Sequence, residues 1–153
     1  MSLTKCSNRL VSALIEALMF GAKQGYIDQS ERLLAALHIL RPDFVELHAY
    51  DAWMMIRRRD FTSAVRLLRT LEQRNLRGSF GPYVSALLAV SLCGLDDPSW
   101  RVYANEVASR NEDPDSVELV MTLLGKQPAP VAAEAQIDSG ALQQLMQNRH
   151  LRA

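Results

Sequence analysis

Apolar residues recur every three or four positions through most of the chain, which predicts amphipathic α-helices. Almost no stretch alternates between apolar and polar residues with the period of two that a half-buried strand shows. The pattern predicts seven helices, over residues 8–24, 28–40, 43–57, 60–75, 81–94, 98–110 and 115–125. Helices of this length joined by short turns favour antiparallel packing of neighbours. We therefore expect an all-α fold.

Turn and capping residues divide the helical pattern into segments. Glycine or proline stands between the apolar stretches, at Pro42, Gly78, Gly81, Pro82, Pro98 and Pro114. Acidic residues lie at the predicted helix starts, at Asp28, Asp60, Asp97 and Asp113. A carboxylate at such a position accepts hydrogen bonds from the unpaired backbone N–H groups of the first turn. These residues are expected to cap their helices.

Residues 126–153 differ in composition from the rest of the chain. Pro128, Pro130 and a run of small residues lie between Lys126 and Ala135, and such a stretch buries too little apolar surface to order itself. A short helical pattern returns over residues 139–150. We therefore divide the chain into a helical domain, 1–125, and a flexible tail, 126–153, that ends in one further short helical pattern.

The helical domain contains an internal repeat of 34 residues. The segment KQGYIDQSERLLAAL, residues 23–37, aligns without a gap with RRRDFTSAVRLLRTL, residues 57–71. This period is the length of a tetratricopeptide unit, a hairpin of two helices. Gly25 would supply the positive φ of the hairpin turn, and the small Ser30 and Ala64 would lie where two helices cross. A looser third copy places Gly94 at the turn and puts three residues in the second helix, Ser99, Trp100 and Tyr103.

This repeat predicts tetratricopeptide-like helical hairpins in an antiparallel solenoid, and the alternative is a generic helical bundle with a chance similarity. In a tetratricopeptide stack the first helix of each unit lines a concave groove. The positions that would face the groove are mostly apolar, and we select six as partner-binding candidates: Ile15, Met19, Trp53, Ile56, Val84 and Leu88. Such a groove suits the apolar face of a partner helix, with Trp53 as an anchor. The alternative is an ordinary core, since apolar residues at helical spacing are usually buried.

Charge gives no reason to expect a nucleic-acid or membrane partner. Seventeen basic and seventeen acidic side chains cancel, so no net field attracts an anionic polymer or surface. The run Arg57-Arg58-Arg59 could begin a basic stripe, but no aromatic residues interleave with it, and a solvated face with modest ion pairs is the simpler interpretation. Glu16 interrupts the first apolar stretch, so we expect neither a secretory signal nor a membrane span.

Candidate chemistry is sparse. The chain has no GxGxxG, GxxxxGK[ST], HExxH or GxSxG motif. Cys6 and Cys93 are far apart and have no neighbouring ligand, which favours a reducing compartment over a disulfide or a zinc site. His38, His48 and His150 share no spacing typical of a metal site. We therefore expect no enzyme activity, no cofactor and no metal.

Two segments of the chain resemble a known family. LHILRPDFVELHAYDAWMMIRRRDFTSAVRLLRTLE and CGLDDPSWRVYANEV are similar to the small apparatus proteins encoded in Hrp-type type III secretion clusters, the family that includes HrpK. The resemblance covers about residues 10–125, and its most specific pieces lie at 40–42, 46–47, 51–53 and 97–100. The repeat architecture of the family is similar to that of the YscG-like proteins, which hold a needle subunit in the cytoplasm before export.

The resemblance implies a role in building or operating a type III secretion machine. The partner would be the needle or pilus subunit, or another apparatus subunit, held in the cytoplasm. The alternative is a self-associating structural component that acts in the periplasm and contacts peptidoglycan or rod components. Trp100 and Tyr103 are candidates for contacts within a homo-oligomer. A generic helical adaptor outside secretion is the third interpretation.

Overall fold

The computed structural model describes residues 7–125, which form seven α-helices and contain no strand. The all-α prediction is confirmed. The helices are α1 Asn8–Lys23, α2 Ile27–Leu40, α3 Leu47–Arg57, α4 Phe61–Glu72, α5 Phe80–Gly94, α6 Trp100–Arg110 and α7 Pro114–Leu123. The predicted tail, 126–153, and its short helical pattern lie outside the described residues.

The helix α3 begins four residues later than the sequence predicts, because residues 41–46 form turns. The backbone N–H of Phe44 donates to Arg41 O, and that of Leu47 donates to Phe44 O, each at 3.1 Å. Glu46 is only 4% exposed, and its Oε1 accepts a hydrogen bond of 3.0 Å from the Arg77 backbone N–H. This bond ties the connection before α3 to the connection before α5.

The 34-residue repeat corresponds to a repeated local structure. Gly25 and Arg59 occupy equivalent positions, and both have a positive φ, of 94° and 62°. Each stands two residues before a helix, α2 or α4. The equivalent pairs Ser30 and Ala64, Leu34 and Leu68, and Leu37 and Leu71 are all buried. The two aligned segments therefore fold as equivalent hairpin turns with equivalent buried faces, while the tetratricopeptide identity of the hairpins stays a prediction.

The third copy departs from its predicted register. Gly94 is the last residue of α5, and the residue with positive φ is Asp96, at 55°. The helix α6 then begins at Trp100. The prediction that Gly94 takes the turn is therefore wrong, because a longer connection joins α5 to α6 than joins the helices of the first two hairpins.

Carboxylates cap two helices as predicted and act differently at two others. Asp60 accepts a hydrogen bond from Ser63 N, and Asp113 accepts one from Ser116 N, at the starts of α4 and α7. Asp97 instead accepts from Ser99 N and Ser99 Oγ within the turn before α6. Asp28 is not a cap, because the capping position of α2 is Tyr26.

Hydrogen bonds to Asp60 and Asp97 make the stability of the fold depend on pH in the acid range. Bonds from the Ser63 side chain and backbone hold the pKa of Asp60 below its usual range, and bonds from Ser99 do the same for Asp97. A carboxyl whose pKa is lowered by folding stabilises the fold above its unfolded pKa of about 3.9, and that contribution is lost as the pH falls through the folded pKa. Both carboxyls therefore favour the folded state at neutral pH.

The helix α5 lies at the centre of the described structure and packs against α3, α4, α6 and α7. Seven of its fifteen residues are buried, and they lie on all sides of the helix: Val84, Ala86, Leu87, Leu88, Ala89, Ser91 and Leu92. Val84, Leu87, Leu88 and Leu92 belong to a central cluster with residues of α3 and α4. Ala86 and Ala89 belong to a C-terminal cluster with residues of α6 and α7. A third, N-terminal cluster joins α1 and α2 to α3.

Two glycines allow helices to approach closely. A Cβ on Gly21 would lie 2.9 Å from Ser30 Oγ, where α1 meets α2. A Cβ on Gly94 would lie 2.7 Å from three ring atoms of Phe61, where α5 meets α4. The ring of Phe61 must therefore move before a side chain at position 94 can be accommodated.

We predict that Gly94→Ala destabilises the protein although alanine is the better helix former. Overpacking against Phe61 costs about 1–3 kcal/mol, which exceeds the gain of about 0.5–1 kcal/mol expected from glycine to alanine in a helix. The matched control is Gly81→Ala in the same helix, where an added Cβ meets nothing within 4 Å. Urea unfolding should show a lower stability for Gly94→Ala and an equal or higher stability for Gly81→Ala, and the opposite order would contradict the close approach.

Candidate functional site

An open groove of about 760 Å³ lies where the N-terminal half of α1, the connection before α3 and the start of α5 meet. Ser12 and Ile15 of α1 form one side, and Phe44, Tyr50 and Phe80 contribute aromatic rings. The hydrogen bond between Glu46 and the Arg77 backbone joins the two connections beside the groove. The groove therefore depends on tertiary contacts between segments that are far apart in the chain.

Aromatic side chains form a connected set around the groove. The ring of Phe80 stands edge-to-face against Phe44 and Tyr50, with centroids 6.1 and 5.9 Å away. Tyr83 packs against both Tyr50 and Phe80, at 6.1 and 6.5 Å. Such pairs restrain one another and present a large apolar surface at low conformational cost. The groove is therefore preorganised for apolar side chains.

The rim of the groove carries both signs of charge. Glu16 and Asp43 lie among its lining residues, as do Arg41 and Arg77. The Arg41 guanidinium donates a hydrogen bond of 3.1 Å to Asn8 Oδ1. A polar rim around an apolar floor is the common arrangement of a protein-binding surface.

The six residues selected from the sequence have three different environments. Ile15 lines the groove, and Met19 packs, half-buried, on the N-terminal cluster. Trp53 is half-buried and packs on both the N-terminal and the central clusters, while Ile56 packs on the central cluster.

Val84 and Leu88 are 1% and 0% exposed, so the prediction that a partner contacts them is wrong. They lie on the buried face of α5, which α3 and α4 cover. The prediction of groove-facing positions assumes that the third unit repeats the first two. Because α5 is central and other helices cover it, it lacks the open face that this assumption requires.

Three aromatic residues of the groove were not among the predicted site residues. Phe44 lies in the connection that the sequence assigned to α3, and Tyr50 and Phe80 fall outside the positions counted as groove-facing. One sequence signal was present, since Phe44 and Phe80 each stand within two residues of a proline.

The arginine run ties the first hairpin to α3. Arg58 donates hydrogen bonds to both Glu31 carboxylate oxygens, at 2.6 and 2.8 Å, and to Asp28 Oδ1 at 2.6 Å. Arg57 donates to the backbone oxygen of Ala22 at 3.0 Å. The ion pairs expected from the sequence therefore form, and the partners of Arg58 lie on α2.

Two histidines whose spacing in the sequence is not typical of a metal site meet on the surface. His38 Nε2 lies 2.6 Å from Asp51 Oδ2, and His48 Nδ1 lies 3.1 Å from the same oxygen. His38 belongs to α2, and the other two belong to α3. The spacing of His48 and Asp51, three residues apart on one helix, was the only part of this arrangement visible in the sequence. His150 lies outside the described residues.

The all-α fold and the aromatic groove together make this a helical protein with a recessed, partly apolar surface. Within the described ranges, no helix is both long and apolar enough to cross a membrane. A family model described as bacterial type III secretion protein (HrpB1_HrpK) matches residues 1–129 of the 153. The chain therefore belongs to this family of bacterial type III secretion proteins, which confirms the resemblance. No curated protein and no solved structure matches the chain.

We predict that Trp53→Ala destabilises the protein, because the indole packs on two of the three clusters. Replacing a buried tryptophan by alanine costs about 3–5 kcal/mol, and a half-buried one should cost about 2–3 kcal/mol. Ile39→Ala, at a side chain that is 71% exposed, is the control and should change stability by less than about 0.5 kcal/mol. Equal stabilities for the two variants in urea unfolding would show that Trp53 does not join the clusters.

We predict that Tyr83→Phe stabilises the protein by about 1 kcal/mol, since a buried hydroxyl without a partner costs desolvation energy. The Tyr83 hydroxyl has no hydrogen-bond partner among residues 7–125, and burial raises the pKa of Tyr83 well above its ordinary value. The control is Tyr103→Phe, whose hydroxyl contacts Glu72 Oε2 at 3.4 Å. Thermal unfolding should show a higher melting temperature for Tyr83→Phe only, and a decrease would reveal a partner for the hydroxyl.

Proposed function

We propose that the protein is a non-catalytic, protein-binding component of the type III secretion system that chaperones or assembles the needle or pilus subunit. The groove between α1, the connection before α3 and the start of α5 receives an apolar segment of that subunit. Binding takes place in the cytoplasm, before the subunit is exported. The observation that carries the proposal is the set of aromatic rings, from Phe44, Tyr50 and Phe80, that lines this groove together with charged residues.

The size of the groove indicates how much of a partner it accepts. Its volume of about 760 Å³ falls within the range of roughly 300–1,000 Å³ typical of ligand-binding pockets. A volume of this size holds the side chains of about one or two turns of a helix, since a turn has about 3.6 residues. The remainder of the partner would lie over the rim and the neighbouring surface.

The chemistry of the groove favours an amphipathic helix as the bound segment. Ile15, Phe44 and Phe80 offer apolar contacts, and residues spaced at i, i+3 and i+4 on a partner helix would match such a surface. Tyr50 adds an amphipathic ring of the kind enriched at binding surfaces. Glu16, Asp43 and Arg77 at the rim would pair with polar residues flanking the apolar face.

The test uses co-expression with the needle or pilus subunit of the same secretion cluster, followed by size-exclusion chromatography with light scattering. The native chain should form a discrete complex that keeps the subunit soluble. Ser12 is exposed and lines one side of the groove, so a long charged side chain at this position would occupy the groove. Ser12→Arg should therefore weaken the complex by at least about tenfold.

The matched control is Ala17→Arg, which adds the same side chain to an exposed position of α1 that does not line the groove. Both variants should keep the melting temperature of the native chain. Equal binding by the two arginine variants would exclude the groove as the binding site. If the chain forms only homo-oligomers and leaves the subunit insoluble, the self-associating structural component of the periplasm becomes the better interpretation.

A further inference from the structure

The side chains of His38, His48 and Asp51 converge on the surface where α2 meets α3. One carboxylate oxygen, Asp51 Oδ2, lies within hydrogen-bond distance of a ring nitrogen from each histidine. The two imidazole rings are tilted by 34°, with centroids 4.8 Å apart. Each of the three residues belongs to a helix, so the packing of α2 against α3 holds them close together.

We propose that these three residues bind a single transition-metal ion of the Zn²⁺ class. Two imidazole nitrogens and one carboxylate oxygen are the donor set of many three-residue sites that leave a position open. Calcium and magnesium fit poorly, since both prefer oxygen ligands. The proposal is independent of the groove, because none of the three residues lines it.

The distances allow the ion to bind with small side-chain movements. The three ligand atoms all lie within 4.8 Å of one another. A tetrahedral zinc ion with bonds of about 2.0–2.1 Å separates its ligand atoms by about 3.4 Å. A pair at the 4.8 Å limit would approach by about 1.4 Å, and Asp51 Oδ2, now 2.6 and 3.1 Å from the two ring nitrogens, would move away from them by less than about 1 Å. Side-chain rotation provides both changes without movement of the helices. In the bound state the ion replaces the two contacts between the histidines and Asp51.

Exposure leaves the site open to solvent. The side chains of His38 and Asp51 are 27% exposed, and that of His48 is 47% exposed. An ion can reach them directly, and its fourth position is filled by water or by a side chain of another molecule. Because His38 comes from the first hairpin and the other ligands come from α3, the bound ion joins the two hairpins and stabilises their contact.

The test uses the full-length native chain without a histidine tag, freed of metal by dialysis against a chelator. Calorimetric titration with ZnCl₂ should give one ion per chain. At a hundredfold excess of Zn²⁺ over its dissociation constant, the melting temperature should rise by roughly 5–10 °C, and EDTA should reverse the rise. Titration with Co²⁺ should give the intense visible absorption bands of a four-coordinate site.

The ligand variants are His38→Gln and His48→Gln, and the control is His150→Gln, which removes the third histidine of the chain. Each ligand variant should weaken Zn²⁺ binding by at least about tenfold and reduce the rise in melting temperature. The control should bind as the native chain does. Absence of binding to the native chain overturns the proposal, as does unchanged binding by both ligand variants. The titration of the native chain decides the question even if a ligand variant fails to fold.

Discussion

Burial of α5 on all sides is the constraint on which the rest of the described structure depends. The helix has almost no polar face, so it can exist in water only if other helices cover it. Helices α3 and α4 cover one side, and α6 and α7 cover another. Two of the three hydrophobic clusters contain residues of α5. Because Trp53 connects the central cluster to the N-terminal one, the first hairpin depends on α5 indirectly.

Local sequence signals predicted the helices of the fold. Which side chains are open to a partner depended on tertiary packing instead. Periodicity located all seven helices, and the repeat predicted the positive φ of Gly25 and aligned it with Arg59, whose φ is also positive. Both signals depend on residues close in sequence. The assignment of Val84 and Leu88 to an open groove required knowledge of what packs against α5, which a repeat alignment does not contain. The same reason accounts for the failure at Gly94, where the third connection differs in length.

The aromatic groove and the histidine cluster were not predicted from the sequence, for a related reason. Phe44 and Phe80 are far apart in the chain, and so are His38 and Asp51. Both sets lie beside the connection before α3, in which the buried Glu46 is bonded to the Arg77 backbone. Residues of that connection line the groove. The two helices that it joins, α2 and α3, contain the histidine cluster. A short irregular segment therefore organises both surfaces, although helices form nearly all of the hydrophobic core.

The contact between Gly94 and Phe61 also bears on how such a chain evolves. Each residue sets the volume available to the other, so the effect of a substitution at one position depends on the amino acid at the other. A lineage that replaces the phenylalanine by a smaller side chain would first open a small space and then tolerate alanine at the glycine. The reverse order passes through a strained intermediate. The order in which the two substitutions arise would therefore matter, and the effect of either one on stability is best interpreted together with the residue at the other position.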